Sequence, residues 1–376
     1  MVKVLHIVES FEGQAIEKWL ALLVAESEER GHVLNWSFYC TQKSSGPYAE
    51  TIERLGCKVI CSPYPISMPL KFLIALRTVI RNGRYDIVHS HHDIMSGFYF
   101  LACLGFRNCR RVMHIHNASL ALPTPSRVKR IAASICFKFL SVHLADRIVG
   151  VSEVALNSLL QGEKNRKCSV IHCAVALHPI SDDCRSVLRC EFGIPQSALV
   201  LLFVGRMIAY KNPEFVIKIF QALLQRNVDV YCIFVGKGHL QRQIEELAES
   251  RGVGTRVRCL GWRSDVAEIM ATSDALIFPS IEKPMEGLGL SVVEAQSIGL
   301  PVVMSMGVPE EAIVIQELVE RLPLRAGTIV WASKIIQLTT ERSLVSREKH
   351  QDVVRQSSFS PQQSLSSLIA LYMQEV

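Results

Sequence analysis

The sequence has no uninterrupted apolar run that approaches the roughly 18–20 residues a membrane-crossing helix needs. Its first residues, MVKVLHIVES, lead directly into a β-branched strand pattern, without the charged, apolar and small-residue segments of a secretion signal. Both absences argue against an integral membrane protein and against export. We therefore expect the chain to act in the cytosol, with peripheral contact at the inner face of the cytoplasmic membrane as the alternative.

Several metal and nucleotide motifs are also missing. The 12 cysteines are scattered, and none forms a C-x-x-C pair, which argues against a disulfide framework and a cysteine-based zinc site. Neither the phosphate-binding G-x-x-x-x-G-K-[ST] nor a D-x-D for a nucleotide-bound cation occurs. We expect reduced, mainly buried thiols.

Charge is unevenly distributed along the 376 residues, which are 49% hydrophobic and 20% charged. Residues 1–185 hold 22 Lys and Arg against 15 Asp and Glu, whereas the remainder holds 19 against 20. The basic half lacks an aromatic-interleaved patch, so we expect no nucleic-acid partner. An anionic membrane or a lipid-diphosphate acceptor explains the excess more simply.

Short apolar runs typical of buried parallel strands alternate with helical patterns. The first series is KVLHIV, LNWSFY, CKVICS, DIVHSHH, RRVMHIH, DRIVGVS and CSVIHC, and the second is LVLLFVG, VDVYCIFVG, VRCLG, DALIFPS and LPVVMS. Each series predicts a doubly wound, Rossmann-like parallel sheet, so the fold class is α/β.

The strand and helix signals weaken between the two series, at residues 176–198, where Pro, Ser and Asp accumulate. We predict an N-terminal domain of residues 1–178, a C-terminal domain of residues 179–355, and a final helix, residues 356–376, that packs back on the first domain. Because no long linker intervenes, we expect the domains to face each other across a cleft, where ligand sites are common.

A glycine-rich turn with two glutamates, PMEGLGLSVVEAQSIGLPVV, follows a predicted strand. Gly287 and Gly289 permit a close approach of backbone to ligand, and the following helix offers free N–H groups suited to phosphate. Glu286 and Glu294 can accept hydrogen bonds from sugar hydroxyls. Two alternatives stay open: Ser291 and Glu294 fit a capping box, and a loop glutamate such as Glu286 is usually only solvated.

Two further glycine turns precede this one. Gly205 ends a strand, and Arg206 and Lys211 follow it in a short connection, so the two cations can neutralise a diphosphate unless they are ordinary surface charges. Gly236, in FVGKGHL, begins a G-x-G that lacks the third glycine of the dinucleotide fingerprint and is weak support by itself.

The order of four segments gives a specific resemblance: FVGRMIAYKN, IFVGKGHL, VRCLGWRSDVAEIMATSDALIFPS and EGLGLSVVEAQSIGLPVV. Together they resemble the family-4 retaining glycosyltransferases, in particular bacterial members that build exopolysaccharide and capsule sugars. Glu286 and Glu294 match the E-x7-E signature of that family. The N-terminal half is also similar, so the likeness extends to about residue 330 and implies the two-domain GT-B fold.

The resemblance implies roles for individual residues. Gly205, Arg206, Lys211 and Gly236 match the donor-diphosphate side, and Glu294 matches the glutamate that binds the ribose. Glu286, with the amides of Gly287, Leu288 and Gly289, would hold the transferred sugar. His116 matches the histidine of the N-terminal domain that faces that sugar, and Gly13 and Gln14 lie on the acceptor side.

Five histidines, His89, His91, His92, His114 and His116, follow two predicted strands and raise the question of a metal site. No Cys or carboxylate set accompanies them at a ligand spacing, and histidine also serves in hydrogen-bonded polar sites. We therefore favour a polar site without metal and expect no cofactor.

The chain departs from the family at two places and carries one ambiguous helix. Gln14-Ala15 replaces a common Gly-Gly pair, and Ala174 and Ala176 stand where relatives have a Gly-Ile-Asp or Gly-Val-Asp ending. Residues 126–143 predict a basic amphipathic helix that either packs on the core or lies on anionic lipid.

These observations predict a metal-independent, retaining glycosyltransferase that moves a hexose-type sugar from a nucleoside-diphosphate sugar to a glycan or lipid-linked acceptor. Two alternatives remain: a non-catalytic sugar-nucleotide-binding subunit, which the departures favour, and a sugar-nucleotide epimerase of the same architecture. The epimerase would need acid and base carboxylates in the N-terminal domain that we do not identify.

Overall fold

The computed structural model describes residues 1–12, 15–31, 34–119, 127–160, 166–181, 183–341 and 347–374. The chain forms two compact units: unit 1 comprises Met1–Val175 with Ser358–Val376, and unit 2 comprises Ala176–Ser357. Each unit is built around one parallel sheet.

Unit 1 contains a seven-stranded parallel sheet within the described residues. The strands are β1 (Val2–Val8), β2 (Leu34–Cys40), β3 (Lys58–Cys61), β4 (Ile87–Ser90), β5 (Arg110–Ile115), β6 (Arg147–Gly150) and β7 (Cys168–Val170). Their order is β3-β2-β1-β4-β5-β6-β7, so the winding direction reverses between β1 and β4. Open α/β sheets bind ligands at the carboxyl ends of the strands at such a reversal.

The helices of unit 1 cover this sheet. They are α1 (Ala15–Glu29), α2 (Ala49–Arg54), α3 (Pro69–Gly83), α4 (Ser96–Phe100), α5 (Arg127–Leu144) and α6 (Glu153–Leu160). Helix α3 begins at a proline and buries Phe72, Leu76 and Ile80, which recur every four residues on one face. Helix α1 buries Trp19 completely.

Unit 2 contains a six-stranded parallel sheet in the part of the chain that the structure describes. The strands are β8 (Leu199–Val204), β9 (Val230–Val235), β10 (Val257–Gly261), β11 (Ala275–Phe278), β12 (Val302–Ser305) and β13 (Val319–Leu322). The order β10-β9-β8-β11-β12-β13 reverses between β8 and β11. The edge strand β13 is absent from the sequence prediction because Glu320 and Arg321 interrupt its short apolar pattern.

The helices of unit 2 are α7 (Cys184–Glu191), α8 (Pro213–Leu224), α9 (Gln241–Ser250), α10 (Val266–Thr272), α11 (Leu290–Ser297), α12 (Thr328–Thr340) and α13 (Arg347–Gln356). Helix α7 lies inside the stretch where the sequence shows only weak signals. This helix is held by Arg189, a polar residue that is wholly buried there and binds Asp274 at 2.7 Å. Hydrophobic periodicity does not reveal a helix that is held by such a contact.

The C-terminal helix, α14 (Pro361–Met373), belongs to unit 1. Ser360 caps its first turn by accepting a hydrogen bond from the Gln363 amide. Trp19 of α1 donates its indole N–H to the Ser364 hydroxyl at 3.0 Å, and the Tyr372 hydroxyl lies 2.5 Å from His89 Nδ1. No helix among the described residues is both long and apolar enough to cross a membrane.

Candidate functional site

The predicted donor residues of unit 2 lie at the reversal point of its sheet. Strands β8 and β11 are neighbours, and the segments that follow them carry Gly205 to Lys211 and Glu286 to Gly289. Parallel pairing brings the carboxyl ends of both strands to the same edge. Residues separated by about 75 positions in the sequence therefore meet in the fold.

Two glycine turns are stacked at this edge. The Gly205 amide donates to the Val235 carbonyl at 2.9 Å, and the Met207 amide donates to the Lys237 carbonyl at 3.0 Å. A Cβ atom on Gly236 would lie 2.0 Å from the Gly205 carbonyl oxygen, so a larger residue would force the turns apart. Gly236 thus holds the segment that begins at Gly205 against its neighbour.

Glu286 is buried and bound on both carboxylate oxygens. Its Oε1 lies 2.7 Å from Lys211 Nζ and also accepts a hydrogen bond from the Ser280 hydroxyl. Its Oε2 accepts a hydrogen bond from the Tyr210 hydroxyl. The Glu286 side chain is only 5% exposed, so its interpretation as a solvated loop residue is wrong.

Electrostatics explain why these groups occur together. Burial lowers the pKa of the Lys211 ammonium, and the adjacent Glu286 carboxylate counteracts that shift. Burial and the Glu286 charge raise the pKa of the Tyr210 hydroxyl, which therefore stays protonated and donates. Lys211 Nζ also lies 4.6 Å from the centre of the Phe278 ring. Arg206, by contrast, is exposed.

Helix α11 begins at Leu290, directly after the glycine turn. Gly289 is its N-cap residue and has φ of 93°, a left-handed conformation that favours glycine. Ser291 is consequently inside the helix and is not the N-cap that a capping box requires, so that alternative for Glu294 is wrong. Leu288 is buried, and Glu294 is half-buried one turn into the helix.

In unit 1, His116 follows β5 and is half-buried. Its ring Nε2 lies 3.0 Å from His91 Nδ1, and its backbone amide donates to Asp93 Oδ1 at 2.7 Å. Burial lowers the pKa of His116 to about 3 and raises the pKa of Asp93 to about 6. Gly13 and Gln14, predicted on the acceptor side, lie outside the described residues.

Three contributors to these contacts were missed by the sequence prediction: Tyr210, Ser280 and Asp93. Tyr210 lies next to Lys211 in the quoted motif, but a lone tyrosine gives no signal of its direction. Asp93 has φ of 46°, which is uncommon for a residue other than glycine and cannot be read from the sequence.

Comparison with known families matches both halves of the chain. Residues 16–178 match the model described as Glycosyltransferase Family 4, and residues 185–351 match the model described as Glycosyl transferases group 1. The two matches together span most of the chain. It belongs to glycosyltransferase family 4.

Several known proteins are similar to this family-4 glycosyltransferase over most of its length. The putative glycosyltransferase EpsF of Bacillus subtilis is 27% identical over 98% of this chain and 96% of its own. An Escherichia coli UDP-Gal:alpha-D-GlcNAc-diphosphoundecaprenol alpha-1,3-galactosyltransferase is 24% identical over 70% of each chain. The crystal structure of HepE from Anabaena with UDP-glucose aligns with a TM-score of 0.77 at 20% identity, covering 98% of this chain and 100% of its own.

The structural likeness identifies the fold as GT-B and confirms the predicted fold class. The family identification also confirms that the protein is a glycosyltransferase. The roles of individual residues in this family-4 enzyme remain predictions, and the contacts of Glu286 provide the strongest physical argument about them.

Proposed function

We propose that this glycosyltransferase moves a hexose-type sugar, with retention of configuration and without a metal, from a nucleoside-diphosphate sugar to a glycan or lipid-linked acceptor. The observation that carries the proposal is the buried assembly of Glu286, Lys211, Tyr210 and Ser280 at the reversal point of unit 2. The amino end of α11 and the exposed Arg206 flank the same strand ends.

The chemical demand in such a transfer is the negative charge that grows on the departing diphosphate. Arg206 offers a fork of donors, Lys211 a buried cation, and the first turn of α11 free amides beside Gly289. Glu294 would bind the ribose hydroxyls. These groups supply positive charge from the protein itself, which supports a metal-independent reaction.

The contacts of Glu286 bear on the stereochemistry. Three donors occupy its two carboxylate oxygens, so it is poorly suited to attack the sugar as a nucleophile. We propose instead that Glu286 orients the transferred sugar and that the leaving phosphate takes the acceptor proton on the same face. His116 is assigned a positioning role on the sugar from the family resemblance.

The names of two similar proteins suggest a donor and an acceptor to test. The E. coli relative carries a diphosphoundecaprenol acceptor in its name, and HepE was crystallised with UDP-glucose. A uridine diphosphate donor and a lipid-linked acceptor are therefore the first compounds to test.

On α5, Ile131, Ile135 and Phe139 are 52%, 64% and 59% exposed. We propose that this apolar face contacts an anionic membrane surface, where a lipid-linked acceptor resides.

Calorimetric titration in the presence of EDTA tests the donor proposal. We expect the chain to bind one of UDP, GDP and ADP at micromolar concentration, and Arg206→Ala and Glu294→Ala to weaken that binding at least about tenfold by removing a charged or hydroxyl-binding contact. Arg251→Ala is a matched control for the arginine because Arg251 follows α9 at the opposite, amino edge of the sheet. Glu246→Ala is the control for a mid-helix glutamate.

The outcomes separate the competing functions. Transfer of the sugar with retained anomeric configuration, followed by NMR, supports the proposal. If the protein binds the donor but neither transfers the sugar nor slowly hydrolyses the donor, a binding subunit is favoured. Return of an epimerised sugar nucleotide would favour an epimerase. Equal binding by all four variants would remove Arg206 and Glu294 from the donor site.

A further inference from the structure

Five imidazoles lie on one face of the unit 1 sheet. His6 of β1 is paired in register with His89 of β4, and His91 follows His89 by two residues. His114 and His116 have the same spacing on and after β5. Because side chains alternate across a strand, residues two apart share a face. The fold thereby brings together imidazoles from β1, β4 and β5, three strands that are far apart in the sequence.

Three of these histidines bring their ring nitrogens close enough together to share a metal ion. One ring nitrogen from each of His91, His114 and His116 lies within 4.8 Å of the others. His91 Nδ1 and His116 Nε2 are already 3.0 Å apart. Two nitrogens bound at about 2.0–2.1 Å to a tetrahedral ion are separated by about 3.3 Å, so this pair needs to open by only about 0.3 Å.

The third donor requires a side-chain rotation. The rings of His114 and His116 are stacked with centres 4.3 Å apart and planes 25° apart, so their in-plane lone pairs run side by side. A turn about χ2, a torsion with a broad preference in histidine, redirects one lone pair toward the ion. His114 Nε2 is buried and lacks a hydrogen-bond partner within the described residues, whereas His114 Nδ1 lies 3.2 Å from His89 Nε2, a contact that the rotation exchanges for the bond to the ion.

The hydrogen bond on the far side of the His91 ring also allows ligation. His91 Nε2 lies 3.0 Å from His6 Nδ1, so a proton held on His91 Nε2 leaves the lone pair of His91 Nδ1 for the ion. Cys173 Sγ lies 4.0 Å from His116 Nδ1, the ring nitrogen on the other side from the one that faces His91, so the thiol is not a ligand of the same ion.

We propose that His91, His114 and His116 form an acceptor site for a divalent transition-metal ion of the Zn²⁺ type. The related set of His6, His89 and His91 is wholly buried, whereas His116 is half-buried and leaves an access route. Imidazole ligands suit Zn²⁺, whereas Mg²⁺ prefers oxygen ligands. Under the proposed function, bound metal would engage His116 and act as an inhibitor, not as a cofactor.

Calorimetric titration of the metal-free full chain with Zn²⁺ tests the site without depending on activity. We expect one tight equivalent, no comparable heat with Mg²⁺, and a loss of affinity of at least about tenfold in His114→Asn and His116→Gln, since even outer partners of a ligand contribute that much. His239→Asn removes an exposed histidine of unit 2 and serves as the matched control.

Co²⁺ absorption provides a second measurement. Intense visible bands of a tetrahedral site in the wild type, weakened in His116→Gln, support the proposal. The half-buried His116 is the safer variant if His114→Asn fails to fold, and circular dichroism checks both. Equal Zn²⁺ affinity in the wild type, His116→Gln and a folded His114→Asn would overturn the assignment, as would the same loss in His239→Asn.

Discussion

At the scale of single residues, the contact between Lys211 and Glu286 makes unit 2 sensitive to loss of either charge. Their side chains are 13% and 5% exposed and 2.7 Å apart. We expect Lys211→Met to destabilise the protein by about 3–5 kcal/mol because it leaves a buried carboxylate without its cation. The double variant Lys211→Met/Glu286→Gln should recover a substantial part of that loss. Urea-induced unfolding measures both.

The exposed pair Arg242 and Glu246 on α9 is the control for this prediction. Its atoms also lie 2.7 Å apart, but the side chains are 88% and 64% exposed. Neutralising this pair should leave the free energy of unfolding unchanged within error. If Lys211→Met also left the free energy of unfolding unchanged, the buried pair would have no role in stability. Any role of Lys211 and Glu286 would then be limited to contacts with a ligand.

The same residues show what a sequence reveals about a site. Spacing and family resemblance bring Glu286, Glu294, Arg206 and Lys211 to attention because short motifs surround them. They do not reveal that Glu286 contacts Lys211, since that distance depends on how two loops leave neighbouring strands. The capping-box interpretation fails for a similar reason: the start of α11 depends on the φ angle of Gly289, which the letters S-V-V-E do not encode.

At the scale of elements, α5 presents an apolar stripe that the sheet does not cover. Ile131, Ile135 and Phe139 recur every four residues and are more than half exposed. We expect Ile135→Asp to reduce co-sedimentation with phosphatidylglycerol vesicles several-fold, because burying a charge in the interface opposes insertion. Binding to phosphatidylcholine vesicles should be weak already, since residues 1–185 carry the basic excess.

Ile329→Asp provides the matched substitution for the vesicle assay. Ile329 is 66% exposed on α12 of unit 2, so its replacement alters hydrophobicity equally at another surface. Equal vesicle binding by the wild type and both variants would contradict a lipid-facing α5.

Strand prediction succeeds where burial is continuous, as in β8 and β9, because both faces of a central parallel strand need apolar residues. It also succeeds at the edge strands β3, β7 and β10 and, among the described strands, misses only the edge strand β13, while the helix α7 shows only a weak helical signal. The Arg189 guanidinium in α7 binds Asp274 and the carbonyls of Thr272 and Ala198. A buried polar network of this kind holds a helix without an apolar stripe.

At the scale of the whole molecule, the buried histidines predict acid sensitivity of unit 1. Burial lowers the pKa of His6 to about 3, whereas an unfolded histidine titrates near 6.5. The unfolded chain therefore binds more protons, and stability present above pH 6.5 is lost progressively as the pH falls toward 3. Each such histidine contributes about 1.4 kcal/mol per pH unit in that window.

Urea titrations between pH 7 and 4.5 measure this dependence. His6→Asn should reduce the slope by one proton equivalent, whatever it does to stability at pH 7. Replacing the exposed His239 with Asn should leave the slope unchanged. If the pH dependence of the free energy of unfolding were the same in His6→Asn and the wild type, the His6 imidazole would have to reach water in the folded state.

The C-terminal helix has a consequence for synthesis on the ribosome. Ser364 and Tyr372 bind Trp19 and His89, yet residues 176–357 must be translated before α14 appears. At about 5–20 residues per second, that interval lasts roughly 10–35 s. Throughout it, the nascent chain exposes the surface that α14 will cover. Chaperone demand should therefore peak before release, and a premature stop codon near residue 360 should yield an aggregation-prone product even though every residue proposed for the donor site has been made.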